Sequence, residues 1–141
     1  MADHLITTHA ADVDAHYGDL GAPLHMASGR GHAEVVHLLV LQHNADVDVH
    51  LPGYQDWTPL CFASYDGHAK VVHGADVNVQ SLSDSTPLWF ASEEGHLEVV
   101  RLLLGHGADV RIRGLYSHTP LQRATDVEIA RLLLEHGAGR G

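Results

Sequence analysis

A single cysteine, Cys61, in 141 residues excludes an intramolecular disulfide and fits a reducing compartment. Basic side chains are also few: 8 Lys and Arg stand against 18 Asp and Glu, giving a formal charge of −10. They form no basic cluster. Binding to a phosphate backbone needs a Lys/Arg footprint, so no nucleic acid partner is expected. Long apolar runs are missing too. Runs of four, such as Leu38 to Leu41, fall far short of the ~18 residues that span a bilayer. Met1-Ala2-Asp3-His4 opens the chain with neither a basic region nor an apolar stretch of the kind that directs secretion. The expectation is an intracellular chain, cytoplasmic or nuclear, without membrane contact. At this length it is one domain's worth of sequence.

What the chain does have is repetition. Ala22-Pro23-Leu24-His25, Thr58-Pro59-Leu60-Cys61, Thr86-Pro87-Leu88-Trp89 and Thr119-Pro120-Leu121-Gln122 are four copies of one phrase, their prolines 36, 28 and 33 residues apart. Three copies lead into Ala-Ser (Ala27-Ser28, Ala63-Ser64, Ala91-Ser92), then Gly-His (Gly31-His32, Gly67-His68, Gly95-His96), then Val-Val. Ala-Asp-Val closes the units at 45–47, 75–77 and 108–110. A period near 33 marks a stacked repeat array.

Local chemistry gives the phrase a structure. Proline at the first helical position loses no hydrogen bond, and the Thr before it offers an N-cap oxygen. Gly31, Gly67 and Gly95 end the first helix by permitting a left-handed residue. Val99, Val100, Leu102 and Leu103 then make a second helix that is apolar over a wide face. Such a helix pair cannot bury that face alone, so neighbours must stack on it.

The pattern resembles the ankyrin repeat across nearly the whole chain, and Ser81 to Val110 matches best. The resemblance implies an all-α solenoid of stacked helix-turn-helix units with projecting hairpin turns. Residues 1–14 read as the end of a partial unit, followed by units at 15–48, 49–78, 79–111 and 112–141. Departures from the pattern carry expectations. Ala22 replaces a capping Thr, and Cys61, Trp89 and Gln122 replace the phrase's His. Leu20, Asp56, Asp84 and Ser117 stand where the family places a turn glycine, which predicts strained or altered hairpins. Unit two lacks five residues of its second helix, between Val72 and Ala75. Losing three buried aliphatic side chains costs about 4–9 kcal/mol, against ~5–15 kcal/mol for a whole domain. Unit four lacks the Gly-His turn, so Thr125-Asp126 must cap its last helix directly. Both ends read as cut rather than capped.

No catalytic group is expected. Nine of the 14 histidines fall on repeat positions, and equivalent positions in stacked helices lie ~8–10 Å apart. Zinc needs its ligands within ~2.0–2.1 Å of one point. Stacked histidines therefore make a ladder, not a metal site, and no cofactor is implied. Asp12-Val13-Asp14 and Asp46-Val47-Asp48 lack the glycine and glutamate of a calcium loop. Cys61 sits where a buried helix residue belongs.

A regular concave face without catalytic groups implies a monomeric, non-catalytic scaffold that binds a protein partner. The resemblance puts that face on the hairpins and first helices. Its candidates here are Asp19, Arg30, Tyr54, Trp57, Tyr65, Asp66, Ser83, Ser85, Glu93, Glu94, Arg113, Tyr116 and His118. Tyr and Trp flanked by charge suit an interface, and a basic patch on the partner would suit Glu93 and Glu94. Trp57 and Tyr54 could instead cover the gap left by unit two's short helix. Two alternatives stand beside the scaffold: a regulatory inhibitor of a kinase-type partner, and a truncated fragment of a larger ankyrin-containing protein without independent function.

Overall fold

The computed structural model describes residues 22–31, 46, 48–51, 56–68 and 76–139. The partial N-terminal unit, the second helix of unit one and the shortened second helix of unit two lie outside them, as do Asp19, Leu20 and Tyr54. The helices are α1 (Pro23–Gly29), α2 (Pro59–Asp66), α3 (Pro87–Glu94), α4 (Leu97–Gly105), α5 (Pro120–Arg123) and α6 (Val127–Glu135), with a 3-10 turn at Leu115–Ser117. Among the described residues there is no sheet, and one isolated bridge joins Leu51 to Trp57.

α1, α2, α3 and α5 each start on a phrase proline and stack in that order, α2 between α1 and α3, and α5 on α3. α4 and α6 form a second layer that packs behind α3 and α5 and against each other. Between the layers lie Leu60, Leu88, Ala91, Val99, Val100, Leu103, Leu104, Ile129 and Leu133, all buried. This is an all-α solenoid with hairpins projecting ahead of the phrase.

Helix ends follow the local rules. Thr86 Oγ1 accepts from the Trp89 N–H at 3.2 Å and Thr119 Oγ1 from the Gln122 N–H at 3.3 Å. Thr58 departs from this, its hydroxyl donating to Cys61 Sγ at 3.5 Å. Gly31, Gly67 and Gly95 adopt φ of 72°, 81° and 76°. Their lack of a side chain has a second use: a Cβ on Gly31 or Gly67 would lie 2.5 or 2.6 Å from Nδ1 of His68 or His96. His68 and His96 thus lie on the glycine of the preceding unit, and His96 Nε2 donates to the Tyr65 carbonyl at 2.8 Å.

The fourth unit keeps this contact without a histidine. Thr125 Oγ1 sits 3.5 Å from where a Gly95 Cβ would be and donates to the Glu93 carbonyl at 3.5 Å. Glu93 precedes Gly95 by two residues, just as Tyr65 precedes Gly67. Asp126 then caps α6, accepting from the Glu128 N–H at 2.7 Å.

Behind the helices a second ladder ties the units. Asp48 Oδ1 accepts from the Asp76 N–H at 2.9 Å, and Asn78 Oδ1 from the Asp109 N–H at 2.7 Å. The next residue in the series is Arg111, which has no acceptor to offer the backbone of Gly139. Its Nε turns back to Asp109 at 3.2 Å. The Arg111 N–H and guanidinium hold the Asp109 carboxyl below its ordinary value of 3.8. The stability this confers is therefore complete above that value and fades as pH falls through the lowered one. Arg111→Asn is expected to complete the ladder and raise stability by about 0.5–1 kcal/mol, the exposed Arg111–Asp109 pair contributing little. A lower urea midpoint for the variant would sink this reading.

Candidate interaction face

Five aromatic rings run across α2 and α3. Trp57 lies 5.0 Å from Phe62, 5.5 Å from Tyr65 and 4.4 Å from Phe90, centroid to centroid. Tyr65 lies 6.3 Å from Phe90, and Trp89 5.6 Å from Phe90. Of the five, Tyr65 alone is exposed, at 42%, while Phe62 is half-buried. Trp57, expected as a partner contact, is buried at 7%; it is the floor on which the others rest, and the expectation is corrected.

The phrase's lost histidine explains how these rings come together. His25 bonds through both ring nitrogens: Nδ1 accepts from the Ala22 N–H at 3.1 Å, which fixes the proton on Nε2, and Nε2 donates to the Trp57 carbonyl at 3.1 Å. In the third copy Trp89 keeps the second bond, its Nε1 donating to the His118 carbonyl at 3.0 Å. Trp57 and His118 both immediately precede the next phrase's Thr. In the fourth copy Gln122 keeps the first bond, its Oε1 accepting from the Thr119 N–H at 2.8 Å. Cys61 is buried and its sulfur receives the Thr58 hydroxyl; burial pushes its thiol pKa up.

The charged candidates divide. Arg30, Asp66 and Glu94 are exposed, with Asp66 and Glu94 the last residues of α2 and α3. Glu93 is not free to meet a partner's cation as expected, because Arg123 Nη2 pairs with its carboxylate. That guanidinium also lies 5.2 Å from the Trp89 ring centroid and 3.4 Å from His118 Nδ1. Arg123 was missed in the sequence, although it occupies the position of Phe62 and Phe90, three residues after the phrase proline.

The hairpins hold the rest. Ser85, a candidate contact, is fully buried, and its Oγ accepts from the Leu115 N–H at 3.0 Å, stapling one hairpin to the next. That corrects a second expectation. Ser83 is half-buried against Ser81 Oγ at 2.9 Å. Arg113 is exposed and donates to the Ser117 carbonyl at 2.8 Å. His118 is half-buried, 6.2 Å from the Tyr116 ring, and Tyr116 is 74% exposed. Leu82 and Leu115, at the same place in neighbouring hairpins, are exposed at 69% and 40%. Nothing in the repeat phrase marks these two positions.

The glycine substitutions leave their mark in the backbone. Asp56, Asp84 and Ser117 have φ of 60°, 66° and 58°, and Tyr116 also has φ of 60°. With the His118 N–H bonded to the Leu115 carbonyl at 3.2 Å, Tyr116-Ser117 occupies a turn that favours Asn-Gly. A left-handed residue other than glycine costs roughly 1–2 kcal/mol. The double variant Tyr116→Asn/Ser117→Gly is therefore expected to raise stability by about 1–2 kcal/mol, read from urea unfolding. No change would mean that the turn relaxes without strain.

Among the described residues, no three His, Cys, Asp or Glu converge on one point, and no helix is long and apolar enough to cross a membrane. A family model described as ankyrin repeats (3 copies) matches residues 1–79 and 69–139. No curated protein matches the chain significantly. Ankyrin repeats generally mediate protein–protein interaction and are generally non-enzymatic. Stacked phrase helices, glycine-bound histidines and projecting hairpins agree with that match over almost the full length: the chain belongs to the ankyrin repeat family.

Proposed function

We propose that this chain is a non-catalytic scaffold that binds a protein partner on the face made by its hairpins and phrase helices. The observation that carries the reading is the exposed Tyr65 on a floor of four packed rings, Trp57, Phe62, Trp89 and Phe90. An aromatic side chain backed by rigid neighbours loses little entropy on binding and is the usual form of an interface anchor. Tyr116 supports it, since a bulky exposed side chain in a strained conformation is more readily explained by use than by stability. Arg30, Asp66, Glu94 and Arg113 supply a charged rim.

A photo-crosslinking residue placed singly at Tyr65, Tyr116 or Arg101 tests the proposal in cells. Arg101 is exposed on α4, on the opposite layer. Adducts are expected from positions 65 and 116 and not from 101. Adducts from 101 alone, or equal yields from all three, would overturn it.

A further inference from the structure

Beyond the exposed ring, the hairpins and phrase helices carry two rows of carboxylates. Asp56 and Asp84 lie at the hairpin ends of α2 and α3; Asp66 and Glu94 lie at the opposite ends of those helices. Asp84, Asp66 and Glu94 are exposed, and Asp56 is half-buried with His50 Nδ1 3.9 Å from its carboxylate. Each of these helices has eight residues and is therefore ~12 Å long, and the hairpin row stands three residues ahead of its first residue. The floor between them is aromatic, with Tyr65 exposed and Phe62 half-buried.

Asp66 and Glu94 are also badly placed for stability. A helix C-terminus is the negative pole of its dipole and favours cations, yet both helices end in acids and neither has a base in its last turn. Among the described residues, Arg30 on one side and the Glu93–Arg123 pair on the other confine the uncompensated charge to α2 and α3. Across two stacked helices that region is about 20 Å long. An α-helix with its side chains is ~10–12 Å across, so one laid across α2 and α3 falls between the two rows.

We infer that the partner segment is a basic amphipathic helix of about three turns. Its apolar stripe lies on Tyr65 and Phe62, and Lys or Arg on both flanks meets Asp56 and Asp84 on one side and Asp66 and Glu94 on the other. The inference rests on the proposed scaffold function.

A display library of helical peptides, randomised at stripe and flank positions, tests it when panned against the intact chain. Enriched peptides are then measured on the Asp66→Lys/Glu94→Lys and Tyr65→Ser variants. The double variant puts cations where the helix dipole favours them, so the fold is not put at risk; circular dichroism confirms equal helicity. The expected result is enrichment of Lys/Arg on both flanks of an apolar stripe, with affinity falling about tenfold or more on either variant. Peptides lacking flanking bases, or unaffected by Asp66→Lys/Glu94→Lys yet lost on Tyr65→Ser, would overturn the basic helix and leave the scaffold standing. Peptides indifferent to both variants, or no enrichment, would overturn both.

Discussion

Trp89→Ala is expected to destabilise the chain by about 3–5 kcal/mol, the usual cost of deleting a large buried aromatic. Trp89 is 2% exposed, packs edge-on against Phe90, carries Arg123 over its ring and bonds the next hairpin through Nε1. Its loss would leave a cavity at the α3–α5 junction and an orphaned His118 carbonyl. Against a total of ~5–15 kcal/mol, such a loss threatens the fourth unit as a whole.

Trp89→His is the informative companion, because His25 shows an imidazole making the same bond to the same position of the next unit. It should recover part of the loss. Gly114 gives the second half of the test. A Cβ there would stand 2.7 Å from Trp89 Cδ1 and 2.5 Å from Ser85 Oγ, so Gly114→Ala should cost about 1–3 kcal/mol through overpacking. In the Trp89→His background that penalty should shrink, a coupling readable from urea midpoints. Equal costs of Gly114→Ala in the two backgrounds would show that the indole does not dictate the glycine.

This pair also marks the limit of what the sequence could show. The start of each phrase helix was legible because proline acts within its own residue, and the stop because glycine does. The left-handed turns at Asp56, Asp84 and Ser117 were legible as a missing glycine for the same reason. Trp89 was visible only as a departure from His. That its indole N–H would reach the carbonyl His118 offers depends on the distance between two stacked units, which no spacing along one chain encodes. The same is true of Thr125 standing in for a Gly-His ring, and of Arg123 neutralising Glu93. Ser85 and Trp57 failed as surface residues because position on a hairpin does not say which side chain points back into its neighbour. What remains of the candidate face among the described residues is Tyr65, Asp66, Ser83, Glu94, Arg30, Arg113, Tyr116 and His118, joined by Leu82 and Leu115.

The Ala-Ser pairs carry the largest stabilisation still open to the chain. Ser28, Ser64 and Ser92 occupy one position in three successive units, and each is fully buried. None of their hydroxyls has a hydrogen-bond partner among the described residues. A buried hydroxyl left unsatisfied costs about 1–3 kcal/mol, and serine is also a poorer helix former than alanine. Nothing in the structure explains their retention. The sites belong to separate units, so their effects should nearly add. The triple variant Ser28→Ala/Ser64→Ala/Ser92→Ala is therefore expected to gain on the order of 3 kcal/mol, with an unchanged m-value in urea. Ser92→Ala alone, in the best-matched unit, should supply about a third of it. If that single change lowers the midpoint, the hydroxyl has a partner and the position is a polar contact between helix layers rather than a stored penalty.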